Sequence, residues 1–227
     1  MRVLGVDACK AGWVGVALAG GAPRAYVAAA IGGLVNLAEA DGSLDVVAID
    51  MPIGLPDHRR RRADELAKAA IGPLASSVFI TPVRAALEAP DHPTAVALNR
   101  ELAGEGVSVQ AYGLRVKLLQ VDEWVRSCGR RVVEVHPEVC FAALAGEPLT
   151  VPKRTWAGVE RRRRLLTAAG IVLDGELGLA GHAAGVDDVL DAAVAAWTAR
   201  RVRRGEAYSL PDPPEVFGDG LPAAIWC

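Results

Sequence analysis

Cysteine is scarce, and its four positions, Cys9, Cys128, Cys140 and Cys227, share no spacing of the zinc-site or redox kind. Reduced thiols of a cytoplasmic protein are therefore expected. Long hydrophobic runs are also missing, since no uncharged apolar stretch reaches the roughly 18 residues of a membrane span. Asp7 and Lys10 interrupt the only candidate leader, which argues for a soluble intracellular protein with no membrane partner. Neither sign of charge dominates. With 25 Lys and Arg against 27 Asp and Glu, a net charge of −2 argues against a protein that coats nucleic acid non-specifically, although local basic clusters can still steer phosphate. Aromatic residues make up only 5% of the chain and are not interleaved with those clusters, so a stacking platform for single strands is not indicated.

Apolar residues, by contrast, are 52% of the 227, enough to bury one substantial core. One domain with an insertion is expected rather than two. The chain is organised around its first stretch, RVLGVDACKAGWVGVAL, Arg2 to Leu18. An apolar run ends in a lone carboxylate, Asp7, passes through a small-residue turn and resumes at Trp13, which predicts a hairpin with an acid at its mouth. Arg24 to Ala30 supplies a third strand and Ile31 to Ala40 a short helix. The β-branched run Asp45 to Asp50 predicts a central strand covered on both sides, again ending in an aspartate.

From about 57 to 129 the signals are helix and loop, which predicts a helical insertion. Within it, Gln110 to Cys128 reads as one helix with Gly113 as a weak point. Arg130 to His136 is the fifth strand, with Glu134 inside it, and Pro137 opens a helix. A further helix follows Pro152 to Thr155 and ends at Gly170, and the last strong helix runs from Asp187 to about Arg203. The Pro-rich remainder, about 205–227, reads as a tail laid over the surface. This order predicts an α/β protein of the RNase H-like fold: a mixed five-stranded sheet, made of a three-strand antiparallel meander plus two parallel strands, with helices on both faces.

On such a sheet the ends of the first and fourth strands are neighbours, so Asp7 and Asp50 would come within reach of one ion. Asp188 and Asp191, three apart on a helix, share a face and would close the cluster from above, with Glu134 on the third acid-bearing strand. Hard oxygen ligands in that number suit Mg²⁺ or Mn²⁺, and no histidine–cysteine set competes for zinc. The chemistry that needs this site is phosphodiester hydrolysis with two metal ions roughly 4 Å apart. In that scheme Asp7 bridges both ions, Asp50 binds one, and Asp188 or Asp191 completes the other. Each acid also has a plainer use. Asp7 and Asp50 would cap turns, Glu134 would pair with an arginine or face solvent, Asp187 would be an N-cap, and Asp188 would favour the helix dipole.

Five blocks carry a resemblance: GVDACKAGWV (Gly5 to Val14), IDMPIGLP (Ile49 to Pro56), SSVFITP (Ser76 to Pro82), EVHPEVCF (Glu134 to Phe141) and DDVLDAAVAAW (Asp187 to Trp197). In this order, over residues 1 to about 204, they resemble the domain-of-unknown-function 429 family (DUF429), predicted nucleases of the RNase H-like superfamily. The resemblance implies that fold and a divalent-metal nuclease activity. By position, Asp7, Asp50 and the Asp188/Asp191 pair are also similar to the acids of RuvC-type junction resolvases, whose second acid is a glutamate where this chain has Asp50. Ala8 and Ala11 stand where the family more often has glycine, and Ile80 where it often has proline.

Other block residues suggest substrate contacts. Lys10 and Arg84 would touch phosphate, and Ser76 and Ser77 would hydrogen-bond substrate or satisfy their own loop. His136 and Glu138 flank Pro137 at a strand-to-helix turn, as site residues or as a turn histidine and a helix-dipole carboxylate. Cys9 lies near the acids but has no base nearby in sequence to make it a nucleophile. The arginine runs Arg59 to Arg62 and Arg161 to Arg164 are either solvated helix faces or a phosphate-guiding surface. The substrate expected is nucleic acid or a nucleotide, and a homodimer is compatible with the sequence. Two rival functions remain. One is a catalytically idle RNase H-like module that binds a partner through the insertion. The other is nucleotide handling of the sugar-kinase and actin type, disfavoured because there is no second copy of the domain and no glycine-rich phosphate loop.

Overall fold

The computed structural model describes residues 1–227. Seven strands form one sheet. The hairpin of β1 (Val3–Cys9) and β2 (Gly12–Leu18) continues antiparallel into β3 (Arg24–Ala28). After α1 (Ile31–Glu39), β4 (Val46–Ile49) pairs parallel with β1. The insertion then supplies α2 (Arg62–Ile71), a 3-10 turn at Gly72–Ser77, α3 (Arg84–Leu87), α4 (His92–Ala103), α5 (Val109–Gly113) and α6 (Arg115–Ser127). The helix expected over 110–128 is thus broken beside Gly113, the residue expected to be its weak point. The strand β5 (Val132–Val135) pairs parallel with β4, and α7 (Pro137–Ala145), α8 (Trp156–Ala168), α9 (Gly178–Ala183) and α10 (Val186–Arg204) follow.

The largest departure from expectation is the C-terminal stretch. Residues 205–227 are no surface tail. They form β6 (Ser209–Val216) and β7 (Pro222–Trp226), and β7 inserts parallel to β5, giving the order β3-β2-β1-β4-β5-β7-β6. The sheet therefore has seven strands, not five. Proline disguises them. Pro211, Pro213 and Pro214 fall in the irregular stretch between the paired residues Leu210 and Glu215 of an edge strand, where no ladder donor is needed.

Side chains alternate across β1. Val3 and Cys9 face a core built with α10, α7 and α8, whereas Leu4 and Val6 face one built with α1 and α6. The insertion adds a small core of its own around Val83, Ala86, Ala95 and Tyr112. The closest layer contact is that of α10 on β1. A Cβ on Gly5 would stand 2.0 Å from the Ala196 backbone nitrogen and 2.1 Å from the Ala192 carbonyl oxygen, so only glycine lets the helix backbone lie against the strand. The alanines of α10, among them Ala192, Ala193, Ala195 and Ala196, are wholly buried and keep the helix equally slim. No helix is long and apolar enough to cross a membrane.

Candidate functional site

The β1–α10 contact sets the site. Asp7 follows Gly5 by one pleat and Asp191 precedes Ala192, so the close approach brings both carboxylates to the same end of the sheet. Asp50 leaves the end of β4, where its N–H donates to the Val6 carbonyl at 2.9 Å. These three acids and Asp188 line one cleft of about 510 Å³, with Ser76, Ser77, His136 and Glu138 also in its wall. Asp7 is 6% exposed and Asp191 wholly buried, while Asp50 and Asp188 are half-buried.

Burial and mutual repulsion govern these groups. Asp7 is held well above the usual carboxylate range by desolvation, then by the charges of Asp50 and Asp191. Asp50 is raised by burial and then by Asp191, and stands within hydrogen-bonding reach of Asp7. The pair therefore retains a proton where separate aspartates would not. Asp191 is raised to about 6 by burial, against the opposing pull of Lys153. The Lys153 ammonium donates to Asp191 Oδ2, while Asp191 Oδ1 is buried without a hydrogen-bond partner. Lys153 and Arg154 are the only cationic lysine or arginine side chains in the cleft wall. The carboxylates do not stand as a closed metal cage, for no three His, Cys, Asp or Glu side chains are drawn together tightly enough to hold an ion as they are. The donor set nevertheless suits a hard divalent cation, being all carboxylate oxygen with one buried oxygen still unpartnered.

Asp188 also serves its helix. Its side chain accepts from the Gly185 N–H at 3.1 Å, so the N-cap of α10 is Gly185 rather than Asp187. Asp187 instead pairs with Arg154 at 3.2 Å. His136 lies in the wall with Nε2 3.5 Å from the Ser77 carbonyl, and burial pushes its pKa down to about 4, leaving a neutral ring. Ser77 donates to the Leu74 carbonyl at 2.8 Å, and both serines are exposed.

Other candidates lie elsewhere or are occupied. Glu134 pairs across the sheet with Ile49 and lies outside the cleft wall, in a small pocket that Asp50 also lines. There it accepts from Arg61 at 2.5 Å and from the Ile53 N–H at 2.8 Å. Glu138 accepts both its bonds from Arg162, at 2.6 and 2.7 Å. Arg84 is bound to Asp122 at 2.8 Å and, like Lys10 and Cys9, is not in the cleft wall. The two arginine runs are therefore not uniform solvated faces. Each contains one fully buried member, Arg61 or Arg162, that neutralises a buried glutamate. Residues that sequence reasoning missed are Lys153 and Arg154, whose only signal is a basic pair between Pro152 and a helix start.

The family model described as a protein of unknown function, DUF429, matches residues 5–216. The chain belongs to the DUF429 family. A search of curated proteins finds no match, and none is found among solved structures. The matched span of this DUF429 chain includes every acid of the cleft and ends in β6, so the family pattern takes in strand residues past the last helix.

Proposed function

We propose that this DUF429 protein is a divalent-metal-dependent nuclease or phosphodiesterase of RNase H-like type. The observation that carries the reading is the convergence of Asp7, Asp50 and Asp191, from two strands and a helix, on one cleft whose wall holds too little positive charge to balance them. The strand order β3-β2-β1-β4-β5, with the first three antiparallel and the next two parallel, supports the fold assignment. Asp7, Asp50 and Asp191 would hold Mg²⁺ or Mn²⁺, with Asp188 at the rim. Bound there, the metal supplies Lewis acidity toward a phosphoryl oxygen and an activated water. The carboxylates contribute charge and position. Neutral His136 offers a hydrogen bond at the wall, and Lys153 offsets part of the acid charge and presents a donor to a phosphate oxygen.

The test is cleavage of a panel of labelled nucleic acids, single-stranded, duplex and branched, with Mn²⁺ or Mg²⁺. Cleavage by the parent and its loss, by a factor of about 10³ or more, in Asp7→Asn is the expected result, given the charge that one carboxylate contributes at a metal site. Cleavage that survives in Asp7→Asn refutes the role given to that residue. The Lys153–Asp191 ion pair favours a second reading, a catalytically idle binding module in which the lysine is the permanent counter-ion. Cleavage in neither protein selects it.

A further inference from the structure

Beside the acid cleft lies a second cavity, of about 690 Å³, with apolar walls that include Val159, Leu173, Val189 and Leu190. Two features join it to the cleft. Arg154 lines both, and α10 divides its residues between them, with Val189 and Leu190 facing the groove and Asp188 and Asp191 facing the cleft. At the groove stands Trp156, 81% exposed, the most exposed large hydrophobic side chain of the molecule. Trp156, Val159 and Arg163 all line the groove from α8, spaced three and four residues apart, and so form one helix face.

The charges fit an anionic, base-bearing ligand. Arg59, Arg60, Arg61 and Arg62 each have a carboxylate within salt-bridge distance. In the second run Arg161, Arg162 and Arg164 have Glu147, Glu138 and Glu160. Arg163 alone has none, and it is the member of the run that lines the groove. Arg154, paired with Asp187, is 85% exposed, and His182 adds a further N–H donor against the single acid Glu176.

Resting on the hydrolase reading, we propose that the groove binds a single-stranded segment of the nucleic-acid substrate. An unpaired base stacks on Trp156, Arg154 and Arg163 hold the flanking phosphates, and the neighbouring phosphodiester enters the acid cleft. Base–aromatic stacking accepts any base, because every base has a π-face. A lone exposed tryptophan with two arginines is thus suited to strand capture rather than sequence readout. The low aromatic content of the sequence did not indicate such a stacking site, because Trp156 and Arg163 meet only on the folded face of α8.

The test is fluorescence anisotropy with a labelled single-stranded oligonucleotide and an abasic version of it, in chelating buffer so that no strand is cut. Trp156→Ala is expected to bind the intact strand about tenfold more weakly than the parent, while Trp156→Phe keeps most of the affinity. The parent should bind the abasic strand as weakly as Trp156→Ala binds the intact one. Arg163→Ala should lower the slope of log K against log salt by about 0.7, the single-strand value for one phosphate contact. Equal affinity of the parent and Trp156→Ala overturns the proposal, as does a parent that binds neither strand. The two readings fail separately. Asp7-dependent cleavage with Trp156-independent binding leaves the hydrolase without this groove. Trp156-dependent binding with no Asp7-dependent cleavage leaves a strand-binding groove without the hydrolase.

Discussion

At Asp7, Asp50 and Asp191 ionisation works against the fold, because each new negative charge appears in a poorly solvated cleft beside the others. A carboxyl whose pKa is raised on folding binds more protons in the native than in the unfolded chain. Stability is then full below the ordinary carboxylate range and is lost as pH rises through the raised value. In chelating buffer the unfolding free energy should therefore fall from about pH 4 to about pH 8, the value to which Asp50 is raised. Urea titrations across that range check it: Asp50→Asn should flatten the slope, and Mn²⁺ should restore stability at the alkaline end by binding only the native cleft. Arg162 is the opposite case, a wholly buried charge paired with a carboxylate, although its Nε has no hydrogen-bond partner. It donates twice to Glu138 and reaches the Val151 and Gly158 carbonyls, each at 3.1 Å. Arg162→Met should cost about 3–5 kcal/mol in the same assay, because it strands a buried glutamate. The exposed neighbours Arg161 and Arg164 should cost about 0–1 kcal/mol each, as surface ion pairs do.

Among the elements, α10 decides the shape of the cleft. Its slim alanine face and Gly5 together let the helix axis approach the sheet, and that approach carries Asp191 to Asp7. Gly5→Ala would place a methyl group on the α10 backbone itself, which cannot rotate away. A loss of about 3 kcal/mol or more is expected, read as a fall in Tm. Metal affinity, followed by calorimetry with Mn²⁺, should fall with it, since Asp191 moves off its partners. Gly20→Ala, whose added Cβ would meet nothing within 4 Å, should leave both measurements unchanged.

For the whole molecule, the sheet is closed on the β5 side by β7, which arrives from the C-terminal stretch and brings Ile225 and Cys227 into the core. A chain ending at Gly205 would uncover the β5 edge and empty those core positions. Size-exclusion chromatography should then show aggregates in place of a monodisperse species. The β-branched runs ending at Asp50 and His136, the hairpin around Asp7 and the long helix after Asp187 were legible in the sequence because their periodicity is local, and so were the acids at their ends. The seventh strand was not, because its pairing with β5 spans the sequence and proline masks its neighbour β6. Nor did residue type show that Glu134 is taken up by Arg61, that Arg61 and Arg162 are buried inside runs of exposed arginines, or that Lys153 reaches Asp191. Local chemistry determined which elements form and which side chains they carry to their ends. Which charges meet, which are neutralised, and which one, Arg163, is left free beside Trp156 depended on packing between elements distant along the chain, where burial rather than residue type sets the cost of an unpaired charge.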